Sequence, residues 1–251
     1  MSTRSLNNNK RIAKNTLLLY FRMFFIMAVT LYTSRVVLKT LGVEDFGIYN
    51  VVGGIVAMMG ILNGAMSVST QRYLTFELGK GDMVRLKQVF STCFLIYLLL
   101  SGIFLVLAET IGLWFLNNKL VIPEERMVAA NWVYQFSIIS CINTLMANPY
   151  NAVLIAREKM NIYAYISIVE VILKLVIVYL LLIIPFDRLV VYGGLFLCMS
   201  IIVTMIYRIY CIRHYEESRF QFYWDKPLFV QLMSYSGWNL FGSLSGLVKG
   251  Q

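Results

Sequence analysis

The stretch 163-YAYISIVEVILKLVIVYLLLII-184 decides the fold. Between Tyr163 and Ile184 only Glu170 and Lys174 carry charge, and Ile, Leu, Val and Tyr make up most of the rest. A helix rises about 1.5 Å per residue, so roughly 20 such residues cross the ~30 Å hydrocarbon core of a bilayer. Comparable runs lie on either side of it: Thr16–Leu38, Tyr49–Thr70, Val89–Leu116, Met127–Ile155, Leu189–Tyr210 and a seventh from Leu228 onward. Backbone in lipid must satisfy its own hydrogen bonds, so each run is predicted to be a helix. The short alternating strands that a transmembrane barrel needs are missing. The fold class is therefore all-α and polytopic.

Composition agrees. Of 251 residues, 59% are hydrophobic and only 14% charged, against about 25% charged in a soluble domain. A water-soluble enzyme, a disulfide scaffold and a disordered tail are all excluded. Cys93, Cys141, Cys198 and Cys211 are scattered singly, and His214 is the one histidine, so neither a metal site nor a disulfide framework is expected. No cofactor is implied. The apolar run after Arg4, Lys10, Arg11 and Lys14 is too long for a signal peptide and reads as an uncleaved first span.

The net charge of +9 invites a nucleic-acid reading, but position argues against that partner. Placing the N-terminus inside puts 14 of the 22 Lys and Arg in inside segments, with four outside (Lys39, Lys119, Arg126, Arg188). The other four, Arg22, Arg35, Lys174 and Lys249, fall within spans. The positive-inside rule then predicts a cytoplasmic N-terminus, with membrane lipids as the surrounding partner.

Connections carry their own signals. Gly42 suits a left-handed cap after the first helix, and Glu44 and Asp45 follow it at the start of the second helix, where negative charge is favoured. Gly79-Lys80-Gly81-Asp82 marks a turn before an amphipathic lead-in over 84–90. Pro149 predicts a kink near the end of the fourth span. Gly60, Gly64, Ser67 and Gln71, preceded by Gly53 and Gly54, form a small-residue stripe, and Gly242, Gly246 and Gly250 form another. Such stripes allow close helix packing in lipid, or sliding during transport.

The fourth span has a polar face at spacings of three and four: Ser137, Ser140, Thr144, Asn148 and Asn151, with Asn131 and Gln135 on a neighbouring strip. Amides facing hydrocarbon are costly. This face must line a wet cavity or make interhelical hydrogen bonds.

Charges at membrane depth are functional candidates by default. Glu170 and Lys174 have the favourable order and spacing for an intrahelical pair, read either as structural neutralisation or as a cavity group. Arg22 and Arg35 lie about 140° apart around the first helix, so they do not share a face. Arg35 sits within a turn of the outer end and can snorkel. Guanidinium groups suit a phosphate-bearing ligand, whose oxygens they match in a bidentate geometry.

The segment from Thr33 to Tyr49, TSRVVLKTLGVEDFGIY, resembles the end of the first helix and the first outer loop of bacterial polysaccharide flippases. These belong to the multidrug/oligosaccharidyl-lipid/polysaccharide exporter superfamily. Ser69-Thr70-Gln71-Arg72-Tyr73 leading into Gly79-Lys80-Gly81-Asp82, and Ala156-Arg157-Glu158-Lys159-Met160, look like the same family. The resemblance implies a transporter of two six-helix lobes around a central cavity, alternating between inward-facing and outward-facing forms. It implies an undecaprenyl-diphosphate-linked oligosaccharide as partner, flipped to the periplasmic leaflet of the bacterial inner membrane for polysaccharide or lipopolysaccharide biosynthesis. Arg35 matches the Ser-Arg position that lies in the cationic cavity of related flippases. Arg22 and Lys174 rest on depth alone.

The expected division is a cytoplasmic segment over 1–15, a six-helix lobe over 16–212, a cytoplasmic linker over 213–227, and the opening of a second lobe over 228–251. On this reading the chain looks truncated. The alternatives are a cation-coupled multidrug antiporter of the same superfamily, with H+ or Na+ as coupling ion, and a non-transporting membrane fragment. A first helix with arginines and no acid favours the anionic cargo.

Overall fold

The computed structural model describes residues 3–57 and 59–249, without side-chain detail for 3–15, 18, 55, 57, 59–62, 240–241 and 243–249. The expectations on Arg4, Lys10, Arg11, Lys14, Gly60, Gly246, Lys249 and Gly250 fall outside the residues so described. The helices in chain order are α1 (Thr3–Ala57), α2 (Met59–Lys80), α3 (Met83–Leu107), α4 (Leu113–Asn118), α5 (Glu124–Ala156), α6 (Met160–Ile183), α7 (Arg188–His214) and α8 (Lys226–Lys249). A π-helical turn, Ala108–Gly112, joins α3 to α4, and among the described residues no strand occurs.

α1 is two arms, 3–41 and 43–57, meeting at Gly42, which has φ 83° and ψ 169°. That φ is positive as expected, but the ψ lies outside the left-handed helical well, in a region that essentially only glycine occupies. The chain reverses there. The first arm runs alongside α6, as Arg22 meets Tyr163, the Tyr32 and Tyr179 hydroxyls stand 3.4 Å apart, and Arg188 donates to the Thr40 carbonyl. The second arm and α2 run parallel to α5 and α7, as Asp45 meets Arg126, Tyr49 packs on Tyr192, and Asn63 meets Asn148. The predicted second span, 49–70, is thus carried by the second arm together with α2.

The bundle has two ends. Gly42, Pro123 and Asp187 stand at one, called here the hinge end, and Gly81, Arg157 and Asp225 at the other, the basic end. At Gly81, φ is 78° and Asp82 caps α3 by accepting from the Arg85 amide at 2.9 Å. Among the described residues, five helical segments are long and apolar enough to cross a membrane: Leu19–Gly54, which contains the reversal at Gly42, Met83–Asn118, Glu124–Ala156, Met160–Ile183 and Arg188–His214; the predicted spans 49–70 and Leu228 onward are not among them as such. Helix begins at Thr3, well ahead of Thr16, and α7 runs on to His214. α5 continues through Pro149.

Buried side chains gather in two groups. One, towards the basic end, holds Phe90, Tyr97, Tyr150, Leu154 and Cys211, and includes Leu228 and Leu232 of α8. The other, towards the hinge end, holds Val52, Val133, Tyr134, Ile138 and Leu189. Phe24, Ile103 and Ile183 stay exposed, as befits a surface met by lipid. Without a strong hydrophobic drive between helices in lipid, close backbone approach matters more. That approach occurs at Gly193, where a Cβ would stand 3.2 Å from Val133 Cγ2 and 3.3 Å from Phe136 Cδ2. Of the predicted glycine stripes, Gly53, Gly54 and Gly64 have nothing within 4 Å of a built Cβ.

Candidate functional site

α5 lies against α7 more extensively than any other helix pair described, and the two diverge around a cavity of about 490 Å³. The polar residues of its α5 wall are Ser137, Ser140, Thr144, Asn148 and Asn151, with Cys141, Leu145 and Ala147 between them. The three-four spacing that puts these polar residues on one helical face also turns them away from the buried groups. Thr144 donates to the Ser140 carbonyl at 2.9 Å, and Asn148 donates to Asn63 across the cavity. α7 contributes Ser200, Thr204 and Tyr207, and α6 contributes Tyr163, Ser167 and Glu170, each set again spaced by three and four. Tyr49, Gly53 and Asn63 close the remaining side.

One full charge enters from the first arm of α1. Arg22 lines the cavity, donates from Nη2 to the Tyr163 hydroxyl at 3.1 Å, and places its Cζ 4.3 Å from the Tyr163 ring centroid. No carboxylate among the described residues pairs with it. Its Nε is buried with no hydrogen-bond partner, as are Asn151 Oδ1 and Ser200 Oγ in the same lining. Buried polar atoms are almost always satisfied, because an orphan costs about 1–3 kcal/mol. Three such atoms around one cavity leave hydrogen-bonding groups open to water or a ligand, and Tyr97 Oη and Ser101 Oγ, outside the lining, are unpartnered as well.

Glu170 also lines the cavity, but its carboxylate is taken by Lys174, with Nζ to Oε1 at 2.7 Å. Lys174 stands one turn beyond the lining. Arg35 is exposed and lies outside this cavity. The structure therefore brings Arg22, Glu170 and the α5 polar face together, sets Lys174 behind Glu170, and leaves Arg35 apart. The neighbouring α5 strip behaves differently, since Asn131 donates to Asn117 at 3.1 Å and Gln135 to Glu109 at 3.2 Å. Both readings of the polar face thus occur, on adjacent strips of one helix.

Ion pairs fasten the bundle ends. At the hinge end Arg126 is held between Asp45 and Asp187. At the basic end Arg157 bonds Glu217 at 2.6 Å and Arg85 bonds Asp225 at 2.7 Å. The Leu228 amide first, and Arg85 next, hold the Asp225 carboxyl below its usual value, against the effect of its burial. Among the described residues, no group of three His, Cys, Asp or Glu stands ready for a metal ion.

Sequence reading missed Asn63, Tyr163, Ser200, Thr204 and Tyr207. A signal was present, because Ser200, Thr204 and Tyr207 repeat the α5 spacing within an otherwise apolar run.

This arrangement of helices defines the chain as an all-α polytopic membrane protein. Its fold is similar to that of a solved protein described as the outward-facing conformation of a multidrug resistance MATE family transporter of the MOP superfamily. The TM-score is 0.68 at 15% identity, over 93% of this chain and 54% of that one. The chain thus spans about half the length of that transporter. No protein-family model and no curated protein matches it.

Proposed function

We propose that the chain is the first lobe of a membrane transporter, not an enzyme, that flips undecaprenyl-diphosphate-linked oligosaccharide from the cytoplasmic to the periplasmic leaflet of a bacterial inner membrane. One observation carries the reading: Arg22 faces a polar cavity at membrane depth with a buried Nε and no carboxylate partner among the described residues. A lone cation in a low-dielectric site is expensive, and a diphosphate offsets that cost with charge-assisted, bidentate hydrogen bonds. The amides and hydroxyls of α5 and α7 suit the hydroxyl groups of a glycan. Arg35, 13 residues further along the first arm and so about 20 Å away, supplies a second cationic contact toward the periplasmic side. The N-terminus is cytoplasmic in this arrangement, and H+ or Na+ serves as coupling ion.

The test is Arg22→Gln in the complete transporter. Surface polysaccharide should be lost while protein abundance is unchanged; normal export would refute the reading. Glu170 favours a second reading, a cation-coupled multidrug antiporter, because it places a carboxylate in the cavity. That reading requires gradient-driven efflux of a cationic dye that is lost in Glu170→Gln.

A further inference from the structure

The cavity holds a cation and a carboxylate that do not pair. Arg22 is engaged by a neutral group, Tyr163, which both receives a hydrogen bond from its Nη2 and offers it a ring face. Such a partner fixes the guanidinium in place without cancelling its charge. Glu170 lies seven residues from Tyr163 on the same helix, about 10.5 Å along its axis, and both face the same space. In a cavity they share, the carboxylate is the obvious competitor of any anionic ligand for Arg22. It is drawn the other way, one turn further along, by Lys174 at 2.7 Å. Tyr207, Asn151 and Ser200, which complete this part of the lining, carry no charge that would substitute for either partner.

We propose that Lys174 is a positioning residue that sets cargo selectivity: by holding Glu170 in an intrahelical pair it keeps that carboxylate off Arg22, so that the cavity presents one uncompensated cation to an anionic headgroup. Lys174 touches no cargo. With Lys174 removed, Glu170 becomes the internal counterion of Arg22 and closes the anion site from within. The proposal deepens the flippase reading and rests on it.

The experiment uses the full chain in lipid nanodiscs with farnesyl diphosphate as the probe. Arg22→Gln should abolish binding, which tests the anion site itself. Lys174→Met should weaken binding by about tenfold or more, the scale of losing a charge-assisted hydrogen bond. Lys174→Met combined with Glu170→Gln should restore it, a rescue that a merely structural role for Lys174 would not give. If Arg22→Gln binds as tightly as the wild type, the anion reading of the site fails. If Arg22→Gln loses binding while Lys174→Met does not, or the double variant stays weak, the anion site stands and the role of Lys174 is overturned. A second measurement decides without any ligand. In the Lys174→Met background, the infrared carboxylate band assigned to Glu170 should shift when Arg22 is changed to Gln, and a band indifferent to Arg22 overturns the proposal.

Discussion

Replacing Arg126 by glutamine isolates the ion-pair clasp at the hinge end. Arg126 Nε donates to Asp45 at 2.7 Å and Nη1 to Asp187 at 2.6 Å. The two carboxylates are not equivalent: Asp45 is 11% exposed and Asp187 38%. Stripping the partner from a buried carboxylate costs about 3–5 kcal/mol, whereas an exposed pair contributes about 0–1 kcal/mol. Arg126 is itself 27% exposed, which places the total near the lower bound, about 3 kcal/mol. At this chain length that lowers Tm by roughly 6–12 °C. Asp187→Asn should lower it by only about 1–2 °C, because asparagine still caps α7 at the Leu189 and Val190 amides. Arg126→Gln combined with Asp45→Asn should be more stable than Arg126→Gln alone, since no buried charge is then left bare. Thermal unfolding of the purified protein, followed by size-exclusion profile, reads the three variants against the wild type. A Tm for Arg126→Gln close to the wild type, or strict additivity in the double variant, would refute the reasoning.

Gly42→Ala should cost about 1–3 kcal/mol from backbone strain alone, since a Cβ there meets nothing, while Gly47→Ala, equally open but helical, should gain about 0.5–1 kcal/mol; thermal midpoints read both. Asp225 has its carboxyl held low in the folded state, so its stabilising share is complete above about pH 4 and is lost as pH falls through the lower folded value. Asp225→Asn should flatten that acid limb in a denaturation series from neutral to acid pH, and an unchanged limb would refute the assignment.

Five of the seven predicted crossings coincide with described helices long and apolar enough to span a membrane, because each is set by a property of its own segment, namely length and apolarity. The site was legible where one helix carried enough polar residues to break an apolar run, as α5 does from Ser137 to Asn151. What stayed hidden depended on pairing between distant segments. Nothing local distinguishes Arg22, held by Tyr163, from Arg35, left exposed, because the difference lies in what α6 brings to each. Gly193 illustrates the same limit. It has no GxxxG partner in sequence, yet a Cβ there would meet neighbours closer than 3.4 Å, because Val133 and Phe136 arrive from α5. Gly64 of the α2 stripe had the motif, yet a Cβ there meets nothing within 4 Å. The reversal at Gly42 was visible as a glycine, but not its ψ, which the docking of both arms imposes.

α5 is fastened at both ends and along one flank: Arg126 at its start, the Arg157–Glu217 pair at its close, and the Asn131 and Gln135 strip bonded to Asn117 and Glu109. Its own unpartnered atom, Asn151 Oδ1, is on the cavity side, together with Ser200 Oγ of α7, while Tyr97 Oη and Ser101 Oγ of α3 are unpartnered outside the lining. An unmet buried hydroxyl lowers stability unless water or, on the proposed flippase reading, a cargo meets it. Ser200, 9% exposed with Oγ unpartnered, puts this to a direct test. Ser200→Ala removes the hydroxyl and almost no volume, so the thermal midpoint should stay level or rise by the equivalent of up to about 1 kcal/mol. Export of a hydroxyl-rich cargo should fall. Thr144→Ala, whose hydroxyl already bonds the Ser140 carbonyl, lacks that stability gain. If Ser200→Ala instead destabilised the protein by more than about 1 kcal/mol, the hydroxyl would be structural. If export were unchanged, this wall of the cavity would not be where cargo is held.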